Sequence, residues 1–249
     1  MTGPATWSNL TGVMGGTALF ANIPTSWYVH FTQEISLPQP AKPARAATKP
    51  DARTKLLDAA LALIRAKGYA ATTVDELCAA AGVTKGAFFH HFKSKTDLGV
   101  AAADHWSETT GALFAAAPYH EPAAPVARVL AYLDFRRSLL RGEVAQFTCL
   151  AGTMVQETYD TSPAIRDACD RSISDHAATL EADIAAAMRE RGMTPPWTAA
   201  SLALHTQAVL QGAFVLAKAK GETAVAAESI DHLRRYVEML FTSSKESDS

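Results

Sequence analysis

The chain is poor in the features that mark an enzyme, a secreted scaffold or a membrane protein. Its 249 residues hold three cysteines, Cys78, Cys149 and Cys169, an odd number that does not support a disulfide framework. A reducing compartment fits, and a cytoplasmic, nucleoid-associated location is expected. The signatures C-x-x-C, H-E-x-x-H, G-x-G-x-x-G, G-x-x-x-x-G-K-[ST] and G-x-S-x-G are all missing. His90 and His91 are adjacent, so on a helix they diverge by roughly 100° and make a poor metal pair. No catalytic residue, metal or cofactor is therefore expected. The most apolar stretch, Val13 to Ile23, is about half the roughly 20 residues of a membrane span, so no membrane partner is expected. Residues 1–33 carry no Asp, Glu, Lys or Arg, and so lack the positive n-region of a signal peptide. Net charge is only −2, and bulk charge points to no partner.

What is abundant is alanine, 49 residues of 249. Alanine is the best helix former and is depleted in strands, so an all-α fold is expected. Charge is unevenly spread. Residues 42–100 carry ten Lys/Arg against five acids, net +5, while residues 101–249 are net −6. A basic module of about 60 residues joined to an acidic body points toward nucleic acid. Residues 1–50 read as a poorly ordered leader with Pro38, Pro40, Pro43 and Pro50, whose Lys42, Arg45 and Lys49 offer an arm for DNA. The tail 244–249 reads as disordered.

Residues 51–98 carry the strongest pattern. Leu56, Leu57, Ala60, Leu61 and Ile64 recur at helical spacing up to a stop at Gly68. Thr73 and Glu76 make a capping box for a short helix from Val74 to Ala81 that ends at Gly82. Thr84 caps another, Lys85 to Phe92, and Ser94 opens a fourth. Two short helices around a tight turn define a helix-turn-helix, with Val74, Leu77, Val83, Phe88 and Phe92 as its core. Lys85, Gly86, Phe89, His90 and His91 are left on the outer side. Gly86 costs about 1 kcal/mol in a helix but lets a phosphate or base edge approach closely.

The run from Thr72 through Val74-Asp75-Glu76-Leu77, Ala81-Gly82-Val83-Thr84-Lys85-Gly86-Ala87-Phe88-Phe89-His90-His91-Phe92 to Leu98 resembles the DNA-binding domain of the TetR (tetracycline repressor)/AcrR family. The resemblance implies an all-helical homodimer that binds a palindromic operator and is released from it by a small-molecule effector. It implies phosphate contacts from Thr73 and Thr84 at helix starts, Lys85, Gly86 and His90 in the major groove, and a phosphate on Lys95. Phe89 stands where the family often has Tyr, so one hydroxyl contact is lost, and its ring packs on sugar or a thymine methyl.

Residues 99–243 read as a ligand-binding and dimerisation domain, for a total of about nine helices. Long helices run from Asp97 to Ala117, Pro125 to Arg141, Ser162 to Arg191, Pro195 to Lys220 and Glu222 to Phe241, with a shorter one from Val144 to Thr158. The last two long helices are apolar enough to pair with their copies across a two-fold axis. The stretch Phe147 to Glu157 is similar to a segment of TetR-like regulators that respond to reactive or small organic compounds, which would make Cys149 a thiol sensor or a packed small hydrophobe. Trp106, Phe114, Phe135, Cys149, Met154, His176 and Gln207 are the expected pocket residues. The alternatives to a repressor are an activator, or a small-molecule enzyme or carrier that keeps the helix-turn-helix as a scaffold.

Overall fold

The computed structural model describes residues 50–242. The expected leader and tail, including the basic arm, lie outside the described residues apart from Pro50. Ten α-helices and one 3₁₀ turn make up the described chain. They are α1 (Ala52–Lys67), α2 (Val74–Ala81), α3 (Lys85–His91), α4 (Lys95–Ala115), the 3₁₀ turn Pro118–His120, α5 (Pro125–Ser138), α6 (Val144–Phe147), α7 (Leu150–Thr158), α8 (Pro163–Glu190), α9 (Ala199–Lys220) and α10 (Ala224–Thr242).

The first four helices are held by their caps. Asp51 accepts from the Thr54 amide and Thr73 from the Glu76 amide, while the Glu76 carboxylate returns to the Thr73 amide, closing the capping box. Thr84 accepts from the Ala87 amide and Ser94 from the Asp97 amide. Between α2 and α3 the chain reverses at Gly82, whose φ of 62° is left-handed, and Val83 N–H closes on the Cys78 carbonyl at 3.0 Å.

The tenth helix is a difference from the sequence reading. One helix is expected over Val144–Thr158, but Thr148 and Cys149 are extended (ψ 156° and 129°) and split it into α6 and α7. Cys149 Sγ accepts from the Gly152 amide at 3.4 Å and so caps α7. Its start is also displaced relative to expectation at α9, which begins at Ala199 after Trp197 packs edge-on against Phe241 and Thr198 caps the Ser201 amide.

Two hydrophobic clusters fill the interior. The lower one joins Leu56, Leu57, Leu61 and Ile64 of α1 and Leu77, Phe88, Phe92 of the helix-turn-helix to Trp106, Leu150, Met154 and Ile165. The upper one gathers Leu113, Phe114, Tyr132, Leu133, Leu180, Ile184, Leu210, Phe214, Ile230 and Phe241. Each large side chain fully buried is worth roughly 1.5–3 kcal/mol. Helices α4 and α8 contribute to both clusters; α8, with 28 residues, is about 42 Å long. On α9 one side is buried, while Leu204, Val215 and Leu216 are exposed on the other.

Candidate DNA-reading face and ligand cavity

The α3 face is open. Phe88 is fully buried, while Phe89, its neighbour, is 57% exposed, and Lys85, Gly86 and His90 are exposed with it. A methyl group built on Gly86 meets nothing closer than the Thr84 hydroxyl at 3.7 Å, an ordinary contact. The fold therefore does not need a glycine there. Lys85 Nζ pairs with Asp75 across the turn at 2.8 Å, and this hydrogen bond raises its pKa. Thr73 and Thr84 sit at the starts of α2 and α3, each with its hydroxyl occupied by a cap. Lys95 is placed differently from its exposed neighbours. It is half-buried, donates to the Ala70 carbonyl at 3.2 Å and lies 4.4 Å from the Tyr69 ring centre, and burial lowers its pKa.

The second site is a cavity of about 50 Å3 between α4, α5, α6, α8 and α9. That is room for roughly four waters, enough for a small organic molecule of a few heavy atoms. Five residues expected in a pocket line it: Trp106, Phe114, Cys149, His176 and Gln207. Phe135 and Met154 do not. Phe135 stands behind Phe114, edge-on at 5.4 Å, and Met154 is fully buried in the lower cluster because α7 turns that face toward α1. Phe147, at the head of the Phe147–Glu157 stretch, lines the cavity too, while the sequence reading missed Arg136, Gln211 and Phe214. The available signal for Arg136 was its position four residues after Tyr132, on the same helix face.

Polar chemistry in the cavity wall is specific. Tyr132, fully buried, lies 2.9 Å from His176 Nε2 and takes a hydrogen bond from the Gln207 amide at 3.2 Å. With its oxygen accepting from Gln207, the phenol O–H is left to donate to His176 Nε2, the arrangement that matches an imidazole with its proton on Nδ1. Burial, helped by the nearby Arg136 charge, pushes the His176 pKa down to about 3, so the imidazole is neutral at physiological pH. Burial also raises Tyr132. The Arg136 guanidinium lies over two rings, 5.2 Å from the centre of Phe114 and 5.7 Å from that of Phe214. Cys149 is half-buried at the cavity edge, within the field of Arg65 and Lys218.

Two connections run from this cavity to the helix-turn-helix. Trp106 presents one side to the cavity and takes the Arg65 guanidinium at 5.1 Å from its ring. Arg65 belongs to α1, is buried, and donates from Nη1 to the Gln146 carbonyl and from Nε to the Leu61 carbonyl, both at 2.9 Å. Burial lowers its pKa to about 10, so it stays charged. The other connection is α7. Cys149 caps the helix at the cavity, and Glu157 near its far end accepts from the Tyr69 and Ala70 amides at 3.0 and 2.7 Å. Those amides lie in the turn between α1 and α2.

An exposed helix-turn-helix braced against a helical body defines a class of DNA-binding transcriptional regulators. Comparison with known proteins agrees. Residues 56–102 match the model for bacterial regulatory proteins of the tetR family, and residues 125–232 match the C-terminal domain of LmrA/YxaF-like transcriptional regulators. The chain belongs to the TetR family of transcriptional regulators. It is 31% identical over 125 residues to the transcriptional regulator AcuR of Cereibacter sphaeroides, covering 49% of this chain and 57% of that one. It is 46% identical over 46 residues to the transcriptional repressor KstR2 of Rhodococcus jostii, covering 18% and 22%. The chain thus spans less than two thirds of these relatives. Among solved structures, a TetR regulator from Chloroflexus aurantiacus aligns with a TM-score of 0.65 at 27% identity over 75% of this chain and 94% of that one. A regulatory protein TetR from Rhodobacter sphaeroides shares the fold, with a TM-score of 0.66 at 24% identity over 74% and 98%.

Proposed function

We propose that this protein is a homodimeric repressor that grips a palindromic operator and lets go when a small molecule enters the cavity. The observation that carries the reading is the exposed α3 face, where Gly86 is unnecessary to the fold and Phe89 holds an aromatic ring in water. Both make sense against a groove. Lys85, Gly86, Phe89 and His90 meet the groove, and Thr73, Thr84 and Lys95 meet phosphates. Lys95 spends one of its three N–H groups on Ala70 and keeps the others. The dimer seam is α9 with α10, where Leu204, Val215, Leu216, Tyr236 and Met239 are exposed and Gly212 has nothing within 4 Å of a built methyl. Such a seam is self-complementary across a two-fold axis, and sets the two α3 helices about one turn of DNA apart, ~34–36 Å.

Release follows from the two connections. A ligand that moves Trp106 or the start of α7 shifts Arg65 or Glu157, and with them the turn that carries α2 and α3. It needs only to favour a dimer with wrongly spaced heads. The residues in a position to feel it are Trp106, Phe114, Cys149, His176 and Gln207.

Selection from a randomised duplex library with the purified protein tests the reading. A palindromic site is expected to be enriched, with a steep salt dependence; no enrichment by a folded dimer overturns it. On the selected site, Lys95→Ala is expected to weaken all sequences alike and flatten the salt slope by about one unit. His90→Ala is expected to change sequence preference instead. Identical behaviour of the two variants rules out α3 as the reader.

A further inference from the structure

The cavity carries one cation and no carboxylate. Its wall includes no Asp or Glu, and among the described residues the Arg136 guanidinium has no ion-pair or hydrogen-bond partner. Three other arginines around the upper core are answered by carboxylates. Arg128 meets Asp183 at 2.7 Å, Arg137 meets Asp231 at 2.7 Å and Arg234 meets Asp134 at 2.8 Å. Arg136 differs from its neighbour Arg137 only in facing inward, where Phe114 and Phe214 flank it and the neutral His176 supplies no counter-charge. A guanidinium that lies over two rings without a hydrogen-bond partner leaves its N–H groups for an acceptor, and a carboxylate can meet them with two parallel bonds. Gln211, also in the wall, adds an amide; a methyl group at Gly152 would run into it, so that bare glycine is what leaves the amide its place beside α7.

From this we propose that the cavity binds a small organic monoanion, a carboxylate of a few heavy atoms, with its charge on Arg136 and its apolar tail against Phe114, Phe147 and Phe214. The proposal deepens the effector-released reading above and rests on it only for the consequence at DNA; binding itself does not. The size limit comes from the cavity of about 50 Å3. The single charge comes from the walls, since a dianion such as phosphate would lose far more hydration than one guanidinium returns in an aromatic pocket.

The test uses the full chain, without DNA, at constant ionic strength. Propionate, butyrate and benzoate are titrated alongside butyramide, butylamine and inorganic phosphate. Calorimetry and Trp fluorescence report binding. Saturable binding of at least one carboxylate at millimolar concentration is expected, with butyramide, butylamine and phosphate weaker by roughly tenfold or more. Arg136→Gln is expected to abolish that preference for carboxylate over amide. Arg136→Lys is expected to keep charge selectivity with weaker binding, and Arg137→Gln to behave as the parent. Equal binding of amide and carboxylate, an Arg136→Gln variant that keeps the preference, or no carboxylate binding at all overturns the proposal. Adding the binding carboxylate to the protein on its selected duplex then separates the two readings. Binding without release from DNA keeps the carboxylate site and removes its role as effector; failure to select any duplex leaves the binding result intact.

Discussion

The lower and upper halves of the molecule are both helical and both close-packed, yet only the upper leaves a few inward-facing polar groups unmatched beside its ion pairs. Around the helix-turn-helix the charged and polar groups are matched. Glu76 meets Lys67 and the Thr73 amide, Lys85 meets Asp75, Lys95 meets Ala70, Arg65 meets two carbonyls, and Glu157 meets two amides. In the upper half Arg128, Arg137 and Arg234 are paired, but the Thr148 hydroxyl is buried with no partner, Arg136 lies on rings, and α5 starts at a proline without a side-chain cap. Matched groups hold a shape, and unmatched ones wait for something to match them. In the function proposed above, a reading head must present a fixed spacing to DNA, whereas a sensing body must have free energy left to gain from a ligand.

The sharpest way to break this contrast is to attack the region the halves share. Leu150 begins α7, beyond the helix-turn-helix in sequence, but is fully buried in the lower cluster. Leu150→Ala is expected to cost about 3 kcal/mol in urea unfolding and to lower the whole transition as one step. A separate early transition for the head would show that the lower cluster is not one unit. Next in size is acid sensitivity. His176 has a folded pKa of about 3 against 6.5 free, so the unfolded chain binds the extra proton between those values and stability falls as pH drops through that window. The slope from this one group reaches at most about 1.4 kcal/mol per pH unit. His176→Gln is expected to remove that share, seen as the difference between the two variants' unfolding curves; parallel curves would mean the imidazole is not buried neutral.

Smaller effects sharpen the contrast from the lower side. Glu157→Gln replaces a carboxylate that serves two amides by a group with one oxygen, and should cost about 1–2 kcal/mol. It is also expected to weaken duplex binding, although Glu157 contacts no part of α3, because it orients the turn that carries the head. Unchanged affinity would remove α7 from the path between the sites. The smallest stability change expected is opposite in sign. Gly86→Ala should stabilise the free protein by up to about 1 kcal/mol while weakening operator binding, as melting and duplex titration together would show. An alanine variant that binds as well as the parent would mean DNA does not approach α3 at that point.

How far the sequence could be read follows the same division. The head was legible because its local signals are strong and agree: Thr73 with Glu76, Gly82 at a left-handed turn, Thr84 and Ser94 at helix starts. The break at Thr148–Cys149 was not legible. Neither residue is Pro or Gly, and the extended backbone there is imposed by packing, Phe147 against Phe214 on one side and Leu150 into the lower cluster on the other. Arg136 was hidden for a related reason. Side by side with Arg137 in the last turn of α5, it reads as helix-end charge. Only the register set by Tyr132 turns one arginine inward and the other out. Five of the cavity residues were within reach of helix periodicity, but Phe135 and Met154 show that periodicity identifies a buried face and not which neighbour covers it.

The long helix α8 gives its first turns, Ile165, Ala168 and Cys169, to the lower cluster and its later ones, Leu180 and Ile184, to the upper. A chimera that transplants residues 51–98 from another regulator onto this body would therefore carry over only half of a core. The grafted α1 would meet Leu150, Met154 and Ile165, which were shaped for Leu56, Leu57 and Ile64. New operator specificity is better sought by exchanging the few exposed positions of α3 than by moving the head as a module.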